Sequence, residues 1–380
     1  MNCNRKTITL GEACSRLSSG KGISASNIHE SGLYPVYGGN GLRGYTDTPN
    51  FEGQCAIIGR QGAFCGNVRF FQGTAYMTEH AVVAVATSSN NTRYLAYLLS
   101  TMNLGRLSGQ SAQPGLSVKT LSKQVIELPP KEEQDKVVAV LSALDDKIEL
   151  NNRINDSLEQ QVVALYTRLL EADWPVETIK DVAKKVAMGP FGSNIKVSTF
   201  VPEGVPIISG NHLRGFFLDE PEFNYITEEH AEKLKNSIVY PRDLIFTHAG
   251  NIGQVAMIPD GCKHDYYVLS QRQFYLRCDE NKVVPEFMLM FFHSAIGQHE
   301  LLSYANRTGV PSIAQPASNL KKIPFKCPPI EEQTKWNELV HPLIIQYLNN
   351  RHENECLAKL RNALLPKLMS GELDISEVQI

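Results

Sequence analysis

The segment Pro129-Pro130-Lys131-Glu132-Glu133-Gln134 returns as Pro328-Pro329-Ile330-Glu331-Glu332-Gln333, an offset of 199 residues. A chain that restates a helix start at that distance folds as a duplicated arrangement, not around one core. Proline suits a first helical turn because its missing N–H would be unpaired there, and the glutamates complement the positive end of the helix dipole.

The stretch after each start is also duplicated. In the first copy Val137, Leu141, Leu144, Ile148, Leu158, Val162, Leu165 and Leu169 recur in steps of four and three, with Asn151 and Asn155 filling the two places between. This is a coiled-coil seam. Moved by 199 it becomes Trp336, Val340, Leu343, Tyr347, Asn350, Asn354, Leu357, Arg361, Leu364 and Leu368, with both asparagines in register. Each helix of about 40 residues is about 60 Å long. The globule between them has a radius of gyration of only about 15 Å and cannot easily bridge a parallel pair, so the helices are expected antiparallel. That pairing sets Asn151 against Asn354 and Asn155 against Asn350, four residues that fix the helix register. Leu144 then faces Arg361, a poor match unless the guanidinium turns outward.

The segments ahead of the helices correspond more faintly. Thr9-Leu10-Gly11-Glu12-Ala13 matches Thr178-Ile179-Lys180-Asp181-Val182, Pro35 to Gly44 matches Pro206 to Gly215, and Ala56 to Gly62 matches Leu244 to Gly250. The rising offset means insertions in the second copy, among them a short polar helix over Thr227 to Leu234. Strand-like runs bounded by Gly, Asn and Pro predict mixed α/β globules, each with a compact twisted sheet. The expected order is a globule over 1–130, a helix over 131–172, a globule over 173–329, a helix over 330–370 and a tail over 371–380.

A net charge of −3 for 380 residues hides a division along the chain. Residues 1–130 sum to +5 and the two helical segments to −4 and −3, leaving the first globule free to offer a basic face to phosphate. The eight cysteines lack a C-x-x-C pair and read as reduced thiols, and the ten histidines show no metal spacing. No apolar run is long enough to cross a bilayer and the N-terminus has no signal-peptide character, so a cytoplasmic protein is expected. Neither an Asn-Pro-Pro-aromatic or Asp-Pro-Pro-Tyr methyltransferase motif nor a phosphate-binding G-x-x-x-x-G-K-[ST] loop is present. No catalytic residue is assigned.

Two divergent globules alternating with two similar helices that open on Pro-Pro-x-Glu-Glu-Gln, together with the ending Leu364-Leu365-Pro366-Lys367-Leu368-Met369-Ser370-Gly371-Glu372-Leu373, resemble the specificity subunit of Type I restriction-modification systems over essentially the whole chain. The resemblance implies two target-recognition domains, each reading one half of a bipartite double-stranded DNA target, and helices that act as spacer and dock two modification (methyltransferase) subunits. It also implies that S-adenosylmethionine, ATP and Mg are used on partner subunits, the modification subunits and the restriction (translocase/endonuclease) subunits, and that this chain is not itself an enzyme. A two-module adaptor with dimerising helices, or a single-chain DNA enzyme with an unfamiliar site, would fit the same organisation.

Base readout needs Arg, Lys, Asn, Gln or His on loops where glycine lets the backbone come close. In the first globule the candidates are Lys21, Asn40, Arg43, Arg60, Gln61, Arg69, Ser111, Gln113 and Lys119. In the second they are Asn194, Lys196, Asn211, His212, Arg214, His248, Asn251, Arg272, Arg307 and Gln315. Several occupy equivalent places with different side chains, such as Arg60 beside His248, as two unequal half-sites require.

Overall fold

A computed structural model describes residues 5–108, 115–192, 194–220, 222–306 and 309–375. The chain divides into two compact units, Met1–Arg153 with Asn350–Ile380, and Ile154–Asn349. The two long helices, Lys131–Leu169 and Ile330–Ser370, each contribute residues to both.

The first unit is built on a six-stranded sheet in the order Cys14–Ser19, Ala81–Ala86, Phe51–Gly59, Val68–Met77, Tyr34–Gly38, Gly41–Thr46. The second strand in that order, Ala-Val-Val-Ala-Val-Ala, is apolar throughout because both faces are covered. Val82 and Ala84 enter one core with Ala56, Ile58 and the helix Thr92–Thr101, while Ala81 and Val83 enter another with Cys55, Ile57 and Met77. Alternate residues of one strand thus serve two cores.

The second unit splits the corresponding sheet into two of four strands. One runs Ala183–Met188, Gln273–Cys278, Leu244–Thr247, Val255–Met257, and the other Asn224–Ile226, Val205–Ile208, Tyr267–Leu269, Ile238–Val239. The single compact sheet expected of this globule is therefore replaced by a pair. Tyr275 points into one core while its neighbours Phe274 and Leu276 point into the other, so strand Gln273–Cys278 lies between the two. The helix Pro285–His293 is buried on nearly every side, which its apolar run Phe287–Phe292 allows, and its buried Glu286 is paired with Arg242 at 2.8 Å. The inserted polar helix is Glu228–Lys233, capped by Thr227.

The faint repeat near each start is a shared cap. Thr9 and Glu12 form a capping box on Leu10–Ala13, and Thr178 and Asp181 form one on Ile179–Val182. Each is followed by a strand that enters the sheet, and each is preceded by a strand paired with the segment that leads into a long helix.

Within each unit the long helices run antiparallel. In the first, Asn151 Nδ2 donates to Asn354 Oδ1 at 2.9 Å and to the Glu353 carboxylate at 2.7 Å, while Asn354 Nδ2 reaches Asn152 Oδ1 at 2.8 Å. Earlier on the first helix and later on the second, Asp145 accepts from Arg361 at 2.7 Å and from the Tyr97 hydroxyl. The expected mismatch of Leu144 with Arg361 is thereby resolved, since the guanidinium turns to a carboxylate. In the second unit Asn155 Nδ2 donates to the Tyr347 carbonyl at 3.3 Å, and the Tyr166 and Trp336 rings meet at 6.2 Å. Asn350 is buried on the second long helix.

His293 gives the second unit a pH dependence. Its Nε2–H donates to the Val255 carbonyl at 2.9 Å and its ring lies 4.3 Å from that of Phe216. Burial pushes its pKa down from 6.5 to about 4. The unfolded chain therefore takes up the proton first, so the stability His293 contributes is complete above about pH 6.5 and is lost as pH falls through about 4. Urea unfolding at pH 7, 5.5 and 4.5 is expected to show wild type losing more stability than His293→Gln over that window. Parallel losses would mean that His293 does not titrate there.

Candidate nucleic-acid interface

In the first unit the turn Thr78–His80, between strands Val68–Met77 and Ala81–Ala86, gathers three other segments through backbone hydrogen bonds. Thr78 N–H donates to the Tyr37 carbonyl at 2.9 Å, Gly20 N–H to Ala81 at 3.0 Å and Arg60 N–H to His80 at 3.0 Å. Leu116 N–H then donates to the Arg60 carbonyl at 2.8 Å, adding a fourth. The second unit repeats the lattice around Ser270–Arg272. Ser270 N–H donates to Ile208 at 2.8 Å, Gly189 to Gln273 at 2.8 Å, His248 to Arg272 at 2.9 Å and Ile313 to His248 at 2.8 Å. Parallel strand pairing underlies both, Tyr37 opposite Met77 and Ile208 opposite Leu269. Glycine is required where the entering strand ends, because a Cβ would lie 2.1 Å from the Met77 carbonyl oxygen at position 20 and 2.1 Å from that of Ser270 at position 189.

This lattice brings together most of the residues nominated from sequence in the first unit. Lys21 bridges to Thr78 and is exposed. Asn40 is exposed in the turn between Tyr34–Gly38 and Gly41–Thr46, and Arg43 folds back along Gly38, whose Cβ would come within 2.7 Å of its Cδ. The Arg69 guanidinium covers Gly41, which needs its positive φ of 105° for the turn. Arg60 is half-buried and reaches the Ser19 hydroxyl at 3.4 Å, while Gln61 is exposed and bridged to Gly115. Lys119 is exposed on the short helix Val118–Ser122. Ser111 and Gln113 lie outside the described residues.

In the second unit Asn211, Asn251 and Arg272 line a polar cleft of about 400 Å³ together with Thr247, Gln254 and Gln273. His248 sits at its edge with Nε2 3.2 Å from the Gln271 carbonyl, and burial lowers its pKa, favouring the neutral ring. Asn194 and Lys196 are exposed on a loop that Gln271 ties down through the Ile195 carbonyl. Arg214 is exposed, and so is Gln315, which holds a left-handed φ of 41° ahead of helix Pro316–Leu320. Arg307 lies outside the described residues.

His212 has a different place from the one expected of it. It is only 4% exposed, its Nδ1 accepts from Ser209 N–H at 2.9 Å, its Nε2 lies 3.3 Å from the Glu222 carbonyl, and its ring stacks on Phe223 at 4.5 Å. Burial lowers its pKa. It holds the Gly210–His212 turn together and has no edge to offer a base.

Sequence reasoning missed most of the central turn. Glu79 and His80, which pair at 3.1 Å, stand where Gln271 and Arg272 stand in the second unit, yet only Arg272 was nominated. Thr-Glu-His-Ala and Ser-Gln-Arg-Gln share no residue, so only the backbone bonds reveal the equivalence. Among the described residues, no three His, Cys, Asp or Glu side chains stand where they could hold a metal ion, and no helix is long and apolar enough to cross a membrane.

The model of the Type I restriction modification DNA specificity domain matches this chain twice, over residues 4–160 and 171–357. A Type I restriction enzyme specificity subunit of Escherichia coli is 42% identical over 144 residues, 37% of this chain and 36% of that relative. One of Methanocaldococcus jannaschii is 26% identical over 319 residues, 75% of this chain and 70% of the relative. The crystal structure of a Type I restriction-modification S subunit from M. genitalium has the same fold, with a TM-score of 0.64 at 15% identity, covering 97% of this chain and 96% of that one. Duplicated helix starts, duplicated loop lattice and duplicated family match coincide, and the chain belongs to the family of Type I restriction modification DNA specificity domains.

Proposed function

We propose that this chain is the DNA-reading subunit of a Type I restriction-modification complex in the cytoplasm, with each loop lattice reading one half of a bipartite duplex target. The observation that carries this reading is the recurrence of one backbone lattice with unequal side chains: Arg60, Glu79 and His80 in one unit against His248, Gln271 and Arg272 in the other. A fixed frame presents the side chains, and their identities set which donor and acceptor pattern of the major groove is matched. Arg43, Arg69 and Lys21 in the first unit, and Lys196, Arg214 and Arg272 in the second, supply the cations that phosphate contact needs. The long helices space the readers and dock two modification subunits. S-adenosylmethionine, ATP and Mg belong to the modification and restriction subunits.

The purified chain is expected to bind duplex DNA with an affinity that falls steeply as salt is raised, because released counterions return to the phosphates. Incubated alone with S-adenosylmethionine, ATP and Mg, it should neither methylate nor cleave that DNA, and both activities should appear when the partner subunits are added. Adenine methylation traced to this polypeptide alone would contradict the reading, as would salt-independent or absent DNA binding.

A further inference from the structure

We infer that Phe191 is a wedge that enters the base stack of the half-site read by the second unit. The inference rests on the DNA-reading function proposed above and adds a deformation of the DNA at one named residue. Strand Ala183–Met188 ends at Gly189 and Pro190, both buried, and the chain then turns outward so that Phe191 is 84% exposed. Its backbone is nonetheless held firmly. Gly189 N–H donates to Gln273 at 2.8 Å, and Asn194 N–H returns to the Phe191 carbonyl at 2.9 Å. The Gln271 amide donates to the carbonyls of both Gly192 and Ile195 at 3.0 Å. Phe191 is thus next to a residue tied to the turn Ser270–Arg272, around which the second unit's candidate readers are gathered.

A single exposed apolar side chain is ordinary on a protein surface. This one precedes Gly192, whose carbonyl Gln271 holds, and the exposed residues Asn194 and Lys196 that follow are polar. Those neighbours can satisfy phosphates and base edges, whereas a phenyl ring gains most by passing between base pairs, as apolar wedges do at kinked steps, since packing on a thymine methyl buries only part of it. The equivalent place in the first unit is two residues after Gly20, and it is Gly22. The wedge is therefore confined to one half-site, at a step that unstacks easily, such as a pyrimidine–purine step.

The test uses the full chain without its methyltransferase partner, so that no base is extracted by an enzyme, and duplexes carrying its selected target with 2-aminopurine placed at successive positions. Wild type is expected to raise the fluorescence several-fold at one step of the second half-site and at none of the first. Phe191→Ala should lose that rise and bind about ten-fold more weakly with an unchanged circular dichroism spectrum, and Phe191→Trp should retain both rise and affinity. Equal affinity and an equal rise with Phe191→Ala would overturn the inference, as would weakened binding when wild type unstacks no step. If wild type bound no duplex at all, the DNA-reading function itself would fall, which separates that failure from failure of the wedge.

Discussion

Replacing residues 173–327 by the corresponding segment of another specificity subunit is expected to change one half of the recognised sequence completely and leave the other half unaltered. The second lattice closes within its own unit, since Gly189, Ile208, His248, Arg272 and Ile313 bond to one another and to Ser270 and Gln273. An exchanged segment therefore brings its whole set of readers. The former target should fall toward non-specific affinity, a loss of about 10³-fold or more, while the hybrid target gains as much. Sequencing of methylated sites in cells carrying the hybrid complex reads the result directly. A change in both halves, or in neither, would show that the two lattices do not act separately.

The second large effect is structural. Gln333 is fully buried, accepts the Val284 N–H at 3.0 Å and donates to the Pro328 carbonyl at 2.7 Å. Gln134, 1% exposed, accepts the Asn91 N–H at 2.8 Å and donates to the Pro129 carbonyl at 2.8 Å and to Asn90 at 3.0 Å. In each unit the glutamine of the repeated signature thus ties the start of a long helix to the residue that caps a domain helix, Thr92–Thr101 or Pro285–His293. Substituting alanine strands a buried N–H and a buried carbonyl, and either variant should lose about 3 kcal/mol. Urea unfolding measures the loss. Hydrogen exchange at Val284 or Asn91 should accelerate in the matching variant and not in the other. A loss below about 1 kcal/mol would mean that water replaces the amide.

Repetition is the part of this fold that is legible in the sequence. The helix starts and the seam are written in short-range patterns, each with one physical solution, while the match of Thr9–Ala13 with Thr178–Val182 shows as a repeat whose capping boxes only the structure reveals. The antiparallel sense follows from the length of the helices against the size of the globule between them, and Asn151 does meet Asn354. The same reasoning read Gln134 and Gln333 only as the ends of a motif, because their partners lie 43 and 49 residues away and no local pattern announces them. It took His212 for a reader because polar loop residues look alike until burial is known. Glu79 and His80 in one unit, and Gln271 and Phe191 in the other, carry no such pattern, since they share no identity between copies and reach their lattices only through the parallel pairing of strands.

Two equivalent lattices that read two separate half-sites would leave a divided signature in the bound DNA. Selection from a pool of random duplexes by the chain assembled with its modification subunits, with sequencing of the bound fraction, tests it most directly. Two short specified sequences are expected, different from each other and separated by a gap of fixed length whose bases are unconstrained. A single continuous motif, two motifs at variable spacing, or no enrichment would contradict it.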